Sequence, residues 1–125
     1  MTKNILKSPW TYFVIILILV GVFLGYKSIT GKVIEPGQYD EFAQYLTTQG
    51  AKMYGTEWCS HCKNQKKLFD SSFQYIDYID CDWESEVCDA AGIRGFPTWE
   101  IDGELYPGEQ SLERLASLTG YEGEI

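Results

Sequence analysis

Cys59 and Cys62 stand two residues apart in Thr56-Glu57-Trp58-Cys59-Ser60-His61-Cys62-Lys63, and the chemistry of this 125-residue chain concentrates there. At the start of a helix, side chains at i and i+3 share a face, so the two sulfurs can close a small disulfide ring and open it again. The first sulfur is expected to be the reactive one. Unsatisfied backbone N–H groups and the positive end of the helix dipole favour its thiolate, and His61, with Lys63, Lys66 and Lys67 further along, adds positive potential. Favouring the thiolate stabilises the reduced pair, which makes the disulfide the stronger oxidant. Cys62, one turn inside the helix, is then the resolving thiol. A zinc site is the competing use of such cysteines. Zinc ribbons take two close pairs, whereas eighteen residues and an expected strand separate Cys62 from Cys81, so no metal and no cofactor is expected.

A strand must deliver Cys59 and a helix must carry Cys62. Asp40 can cap a first helix with Phe42, Tyr45 and Leu46 at i, i+3 and i+4 and Gly50 as its stop. Residues 51–54 read as a short strand running into Gly55, and a second helix runs from Cys59 to about Asp70. Residues 73–79, where aromatic and β-branched side chains alternate with polar ones, read as a strand. Asp82 or Glu84 opens a third helix ending at Gly92, and residues 98–101 and 104–106 form a hairpin around Asp102-Gly103. Ser111 caps a last helix whose apolar face is Leu112, Leu115, Ala116 and Leu118 and whose stop is Gly120. The order α-β-α-β-α-β-β-α places the first two cysteines on a strand-to-helix turn of an α/β domain.

Charge narrows the partners. All 18 acidic residues lie at or beyond Glu35, and from Val33 onward they face six basic ones, a net −12 against −8 for the whole chain. So acidic a domain repels phosphate backbones, which excludes nucleic acid as a partner. Aromatic residues spread through the acidic part supply the burial that a disordered segment lacks.

Residues 8–26 carry no charge and centre on Tyr12-Phe13-Val14-Ile15-Ile16-Leu17-Ile18-Leu19-Val20. A spanning helix needs ~20 apolar residues, so residues 10–27 read as a transmembrane signal anchor, with 1–9 a short N-terminal tail, 28–38 a linker and 39–125 the folded domain. A cleaved signal peptide is the alternative. It wants a small-x-small site, for which Ser28-Ile29-Thr30 is a poor match. Lys3 and Lys7 balance Lys27 and Lys32, so the lysines alone do not orient the anchor. A short tail before a single apolar segment places the domain outside the cytoplasm, at the cell membrane. Disulfides persist there, in agreement with an even number of cysteines.

Trp58-Cys59-Ser60-His61-Cys62-Lys63 together with Gly92-Ile93-Arg94-Gly95-Phe96-Pro97-Thr98 resembles the thioredoxin superfamily, whose hallmarks are a Trp-Cys-x-x-Cys turn and a later cis-proline loop facing it. Residues 53–121 further resemble the thioredoxin-like domains fused or partnered to prokaryotic homologues of vitamin K epoxide reductase, and Cys81 and Cys88 match an additional cysteine pair in those domains. The resemblance implies a thioredoxin-like fold, a central mixed sheet flanked by helices, preceded here by one transmembrane helix. It implies a cis Pro97 beside Cys59, substrate backbone docking near Phe96, and disulfide exchange with exported proteins. Cys81 and Cys88 are expected to form a structural disulfide, with a second redox pair as the alternative. His61 resembles the central histidine of oxidising members, and otherwise is an exposed helix residue. Trp58 serves either packing or substrate contact. The three lysines otherwise form a solvated helix face.

The chain departs from the family in two ways. Met53 stands where thioredoxin has a buried aspartate six residues before its first cysteine, which favours an oxidase or isomerase over a reductase. No further apolar segment follows, so a quinone-linked vitamin K epoxide reductase homologue would be a separate membrane protein. The expected function is that of a thiol-disulfide oxidoreductase that introduces disulfides into reduced exported proteins and is reoxidised by that partner. A disulfide reductase or isomerase, and a non-catalytic adaptor, are the alternatives.

Overall fold

The computed structural model describes residues 9–29 and 36–125, the side chains of 26–29 excepted. The expected tail therefore lies outside the described residues, but for its last position, as does most of the expected linker. The described chain falls into two units, one on each side of residue 35.

In the first unit, helix α1 covers Pro9–Ile29. Its apolar side chains, Phe13 and Ile16 through Leu19 among them, are exposed. Among the described residues no helix is long and apolar enough to cross a membrane. The stretch expected to be a transmembrane anchor is thus helical without being shown to span.

The second unit runs α2 (Asp40–Thr48), β1 (Lys52–Gly55), α3 (Ser60–Phe69), a 3₁₀ turn (Asp70–Tyr75), β2 (Asp77–Asp80), α4 (Ser85–Ala90), β3 (Thr98–Ile101), β4 (Glu104–Pro107) and α5 (Leu112–Thr119). The four strands form one mixed sheet in the order β2-β1-β3-β4. β1 pairs parallel with β2 and antiparallel with β3, and β3 pairs antiparallel with β4. Helices flank this sheet, as expected of an α/β domain with a central mixed sheet.

Alternation along β1 divides the core between the two faces of the sheet. Met53, paired with Trp99 and Tyr78, joins Phe42, Leu46, Phe69, Ile101 and Leu115 in the larger cluster. Tyr54, paired with Ile79 and Thr98, joins Cys81 and Cys88 in the smaller one, against which Ile93 and Phe96 pack. Covering both faces explains why Met53, Tyr54 and Gly55 are all buried in a central strand.

Local signals account for the best-defined turns. Asp102 and Gly103 have φ of 52° and 78°, the left-handed pair that a two-residue hairpin with the right twist demands. Ser111 Oγ accepts the Arg114 N–H at 3.1 Å, and Gly120 ends α5 with φ 72°.

Three expectations are corrected. Residues 73–75 are not strand: Asp70, with φ 48°, ends α3, and the 3₁₀ turn carries Phe73 onto Phe69 and Tyr78, leaving only Asp77–Asp80 to pair with β1. The aromatic alternation that suggested a strand comes from ring packing around a bend. Asp40 does begin α2, but its carboxylate accepts the N–H of Gly37 at 2.9 Å and so closes the preceding turn. Helix α4 starts at Ser85, after a Glu84 whose side chain makes no capping bond, and Asp82 lies in the turn before it.

Cys81, just past β2, is bonded to Cys88 in α4. The bridge closes a loop of seven residues' separation, for which about 2 kcal/mol of stabilisation is the expected order. Replacing both by alanine should lower unfolding stability in urea by about that amount while thiol–disulfide exchange persists. Loss of exchange by a variant shown to be folded would assign the pair to electron transfer instead.

Candidate active site

β1 ends at Gly55 and the chain turns through Thr56 to Trp58 into α3, whose N-cap is Cys59. Its backbone is extended, so the sulfur folds back over the first turn and accepts the N–H of Cys62 at 3.1 Å. A sulfur does here what a serine or aspartate oxygen does at other helix starts. The two thiols are both free and differ in burial, Cys59 being 7% exposed and Cys62 wholly enclosed.

The Cys59 Sγ–H also lies 3.6 Å from the carbonyl oxygen of Phe96, and the Phe96–Pro97 peptide is cis. That loop is held from both sides. Thr98 Oγ1 donates to the Gly95 carbonyl at 2.8 Å, and the Gly108 N–H donates to the Pro97 carbonyl at 2.8 Å. The structure thus brings together Cys59, Cys62, Phe96 and Pro97, which are 37 residues apart at the closest polar contact. Cys59 and Phe96 line a cleft of about 570 Å³ with Trp58, His61 and Arg94, while Cys62 and Pro97 are buried outside its lining. The Trp58 ring meets Phe96 edge-on with centroids 6.2 Å apart, its Nε1–H donates to Asp82 at 3.1 Å, and 69% of the residue is exposed. Trp58 therefore packs beside the turn and walls the cleft at once. Cys81 and Cys88 lie outside this group, within the second core cluster.

The electrostatics differ from the sequence expectation at His61 and Lys66. His61 Nδ1 is 2.6 Å from the Glu109 carboxylate, which also accepts from Asn64 at 3.3 Å. The bond to His61, helped by Asn64, holds the Glu109 carboxyl below its usual range. A histidine expected to lend Cys59 positive potential is thus matched by an anion. Lys66 is matched too, by Glu57 at 2.6 Å, and its ammonium lies 3.9 Å from the centre of the Tyr78 ring. Lys66 holds the Glu57 carboxyl low in turn.

Three residues of the site were not singled out in the sequence. Glu109 reaches His61 across 48 positions because buried Gln65 grips the following residue, donating to the Gln110 carbonyl at 2.9 Å and accepting its N–H at 2.6 Å. Tyr78 packs against the larger core cluster beside Gly55. A buried glutamine within a helix and a tyrosine within a strand carry no distinctive spacing. Met53 is fully buried, so the site has an apolar side chain where thioredoxin's aspartate would stand.

Burial pushes the Cys62 thiol up to about 12, with the adjoining Cys59 adding to the effect and the Thr56 backbone and Lys66 opposing it. The two sulfurs are therefore chemically unequal: one caps a helix at the floor of an open cleft, and the other is held as a neutral thiol behind it. Such a pair can undergo thiol–disulfide exchange at Cys59 and internal ring closure by Cys62. Among the described residues no group of three or more His, Cys, Asp or Glu is placed to hold a metal ion.

No protein-family model matches the chain. It is similar to a thiol-disulfide oxidoreductase of Arabidopsis thaliana, 39% identical over 88 residues that cover 63% of this chain and 23% of that protein. It is also similar to a protein disulfide isomerase-like protein of Oryza sativa subsp. japonica, 35% identical over 53% of this chain and 22% of that protein. A putative protein disulfide-isomerase of Dictyostelium discoideum is 29% identical over 86% of this chain and 31% of that protein. The chain spans about a quarter of the length of the first two. A solved thioredoxin of Malassezia sympodialis aligns over 75% of this chain and 99% of its own, with 19% identity and a TM-score of 0.46, a likeness too weak to carry an argument. The relatives' names are consistent with a thiol-disulfide oxidoreductase.

The raised Cys62 thiol has a consequence for stability. An unfolded cysteine releases its proton near ~8.5, whereas the folded one keeps it to about 12, so the unfolded state binds fewer protons between those values. The reduced chain should therefore lose stability as pH rises from about 8.5 towards 12, relative to reduced Cys62→Ala, by up to ~1.4 kcal/mol per pH unit. Thermal unfolding midpoints of both proteins across that range check it, and parallel curves would contradict it.

Proposed function

We propose that the chain is a membrane-anchored thiol-disulfide oxidoreductase that introduces disulfides into reduced exported proteins. The observation that carries the reading is Cys59 at the N-cap of α3, its sulfur accepting the Cys62 N–H and facing the carbonyl beside cis Pro97 at the floor of an open cleft. A substrate thiolate attacks Cys59 Sγ of the oxidised pair. The S–S bond breaks, and its electron pair leaves with Cys62, which takes up a proton. A second substrate thiolate then attacks the substrate sulfur of the mixed disulfide and expels Cys59. The substrate dithiol is oxidised and the Cys59–Cys62 pair is reduced by two electrons. Phe96 and Pro97 offer the substrate backbone a place to dock, Trp58 shapes the wall, and His61 stands at the rim.

Two features favour oxidation of substrate over its reduction. The hydrogen bond from the Cys62 N–H to the Cys59 sulfur stabilises the reduced form, which raises the potential of the couple. Met53 supplies no carboxylate to assist a reductase. The Glu109 contact of His61 works the other way, weakening the positive potential near Cys59. Relatives named as disulfide isomerases support isomerisation as the second reading, since the same site can reshuffle disulfides when it is reduced. Reoxidation is assigned to a separate membrane homologue of vitamin K epoxide reductase, on the resemblance of residues 53–121 to domains that partner such proteins. Localisation at the cell membrane is supported by the uncharged stretch 8–26 and the poor cleavage site after it, and placement of the domain outside by the Cys81–Cys88 disulfide, which persists in an oxidising compartment.

The Cys59–Cys62 couple should have a potential above thioredoxin's, which is about −270 mV, when equilibrated with glutathione. Cys62→Ala should accumulate mixed disulfides through Cys59, and Cys59→Ala should accumulate none. A potential at or below that of thioredoxin would turn the reading to a reductase. In membranes, the chain should resist extraction by alkaline wash, and recovery of a soluble form beginning near Gly31 would remove the anchor.

A further inference from the structure

Expelling or activating Cys62 requires moving a proton at a sulfur that water does not reach, since Cys62 is wholly buried. The carboxylate that assists proton transfer in thioredoxin is replaced by Met53, itself fully buried. The search for a substitute leads to Gly55. A Cβ built there would lie 3.0 Å from Cys62 Sγ and 3.3 Å from the Tyr78 hydroxyl oxygen, so sulfur and hydroxyl crowd the same face of one glycine. That hydroxyl is buried and makes no hydrogen bond of full geometry among the described residues, its contact with the Glu57 carboxylate being looser. An unpaired buried hydroxyl costs free energy unless some state of the protein uses it.

The Tyr78 hydroxyl also faces the Glu57 carboxylate, which it helps to hold low, and Glu57 is paired with Lys66 nearer the surface. Lys66 Nζ lies 3.9 Å from the Tyr78 ring centre and 5.5 Å from that of Phe73, and it bonds Glu57 at 2.6 Å. The Lys66 side chain is 23% exposed and that of Glu57 65%, so the pair is open to water. The charged and titratable groups that act on Tyr78 are Asp80 and Glu57, the two thiols Cys62 and Cys59, and the overlying Lys66. Burial and the acidic groups raise the phenol, so in the resting state it is a neutral O–H donor.

We infer that the Tyr78 hydroxyl is the proton relay of the resolving cysteine, passing a proton between Cys62 and the water-exposed Glu57–Lys66 edge. The inference rests on the exchange reading above. When a substrate thiolate breaks the Cys59–Cys62 bond, the electron pair goes to Cys62 Sγ, the Tyr78 O–H supplies its proton, and the phenol oxygen regains one from water by way of the exposed Glu57 carboxyl, the hydroxide being neutralised by the proton the substrate thiol gave up. The Lys66 ammonium stabilises the transient negative charge on the ring. In the reverse direction the Tyr78 oxygen accepts the Cys62 proton while its own O–H proton passes to the Glu57 carboxylate and on to water, as Cys62 attacks the mixed disulfide at Cys59 and the substrate thiolate leaves. No proton or electron is left over in either direction, and no further reactant than water is needed.

The test separates Cys59 from Cys62 with a chromogenic aromatic disulfide added in slight excess to the reduced full chain. The first phase, release of one chromophore, reports attack by Cys59. The second phase reports resolution of the mixed disulfide by Cys62 and releases the other. Tyr78→Phe keeps the ring and removes a hydroxyl that makes no hydrogen bond of full geometry, so it should fold and show the first phase at the wild-type rate. Its second phase should be about tenfold slower at neutral pH, with the pH–rate profile displaced upward, the size expected for a lost hydrogen bond to a charged group. Glu57→Gln, whose lost negative charge would by itself favour the Cys62 thiolate, should also slow the second phase and decides the matter alone should Tyr78→Phe misfold. A second phase of unchanged rate and pH profile in these variants would overturn the relay, as would equal slowing of both phases. Absence of the first phase in the wild-type chain would instead refute the exchange reading itself.

Discussion

The hydrogen bond from the Cys62 N–H to the Cys59 sulfur, 3.1 Å long, is the contact from which the rest of the site takes its geometry. It forms only if Cys59 is the N-cap of α3, and that requires β1 to end at Gly55 and the chain to turn within four residues. The turn puts one sulfur at the floor of the cleft and the other behind it. Close approach is possible because Gly55 has no side chain: a Cβ there would meet the Cys62 sulfur at 3.0 Å and the Tyr78 ring at 3.1 Å. The sheet therefore presses directly against the resolving thiol, and burial sets its acidity.

A second constraint fixes what faces Cys59. β3 begins one residue after Pro97 and pairs with β1, so the strand that delivers Cys59 also holds the loop opposite it. Thr98, paired with Tyr54 in that register, reaches back to the Gly95 carbonyl and closes the loop. The cleft is consequently built on two neighbouring strands of one sheet, which holds the Cys59 sulfur 3.6 Å from the Phe96 carbonyl oxygen. On the other flank Gln65, fully buried, performs the same service for the loop that carries Glu109.

Much of this was legible in the sequence, and the reasons differ by element. α5 was readable because Ser111, Leu112, Leu115 and Gly120 signal cap, face and stop within ten residues, and the Asp102-Gly103 hairpin because its residue types match the backbone it needs. Cys59, Cys62, Phe96 and Pro97 were readable as two motifs in order. What stayed hidden depends on tertiary placement. Residues 73–75 alternate like a strand but wrap a ring cluster formed with Phe69 and Tyr78. His61 and Lys66 showed positive charge, while their partners Glu109 and Glu57 became visible only in three dimensions. Tyr78 could not be chosen among nine tyrosines until Gly55 showed what it touches.

The account stands on the inequality of the two thiols: Cys59 open to attack at a helix start, Cys62 enclosed and held protonated up to about 12. Brief alkylation of the reduced chain at neutral pH, read by mass spectrometry of the peptide spanning both cysteines, tests that inequality directly. The account predicts adducts on Cys59 with Cys62 left free. Equal modification of the two sulfurs, or preferential modification of Cys62, would contradict it.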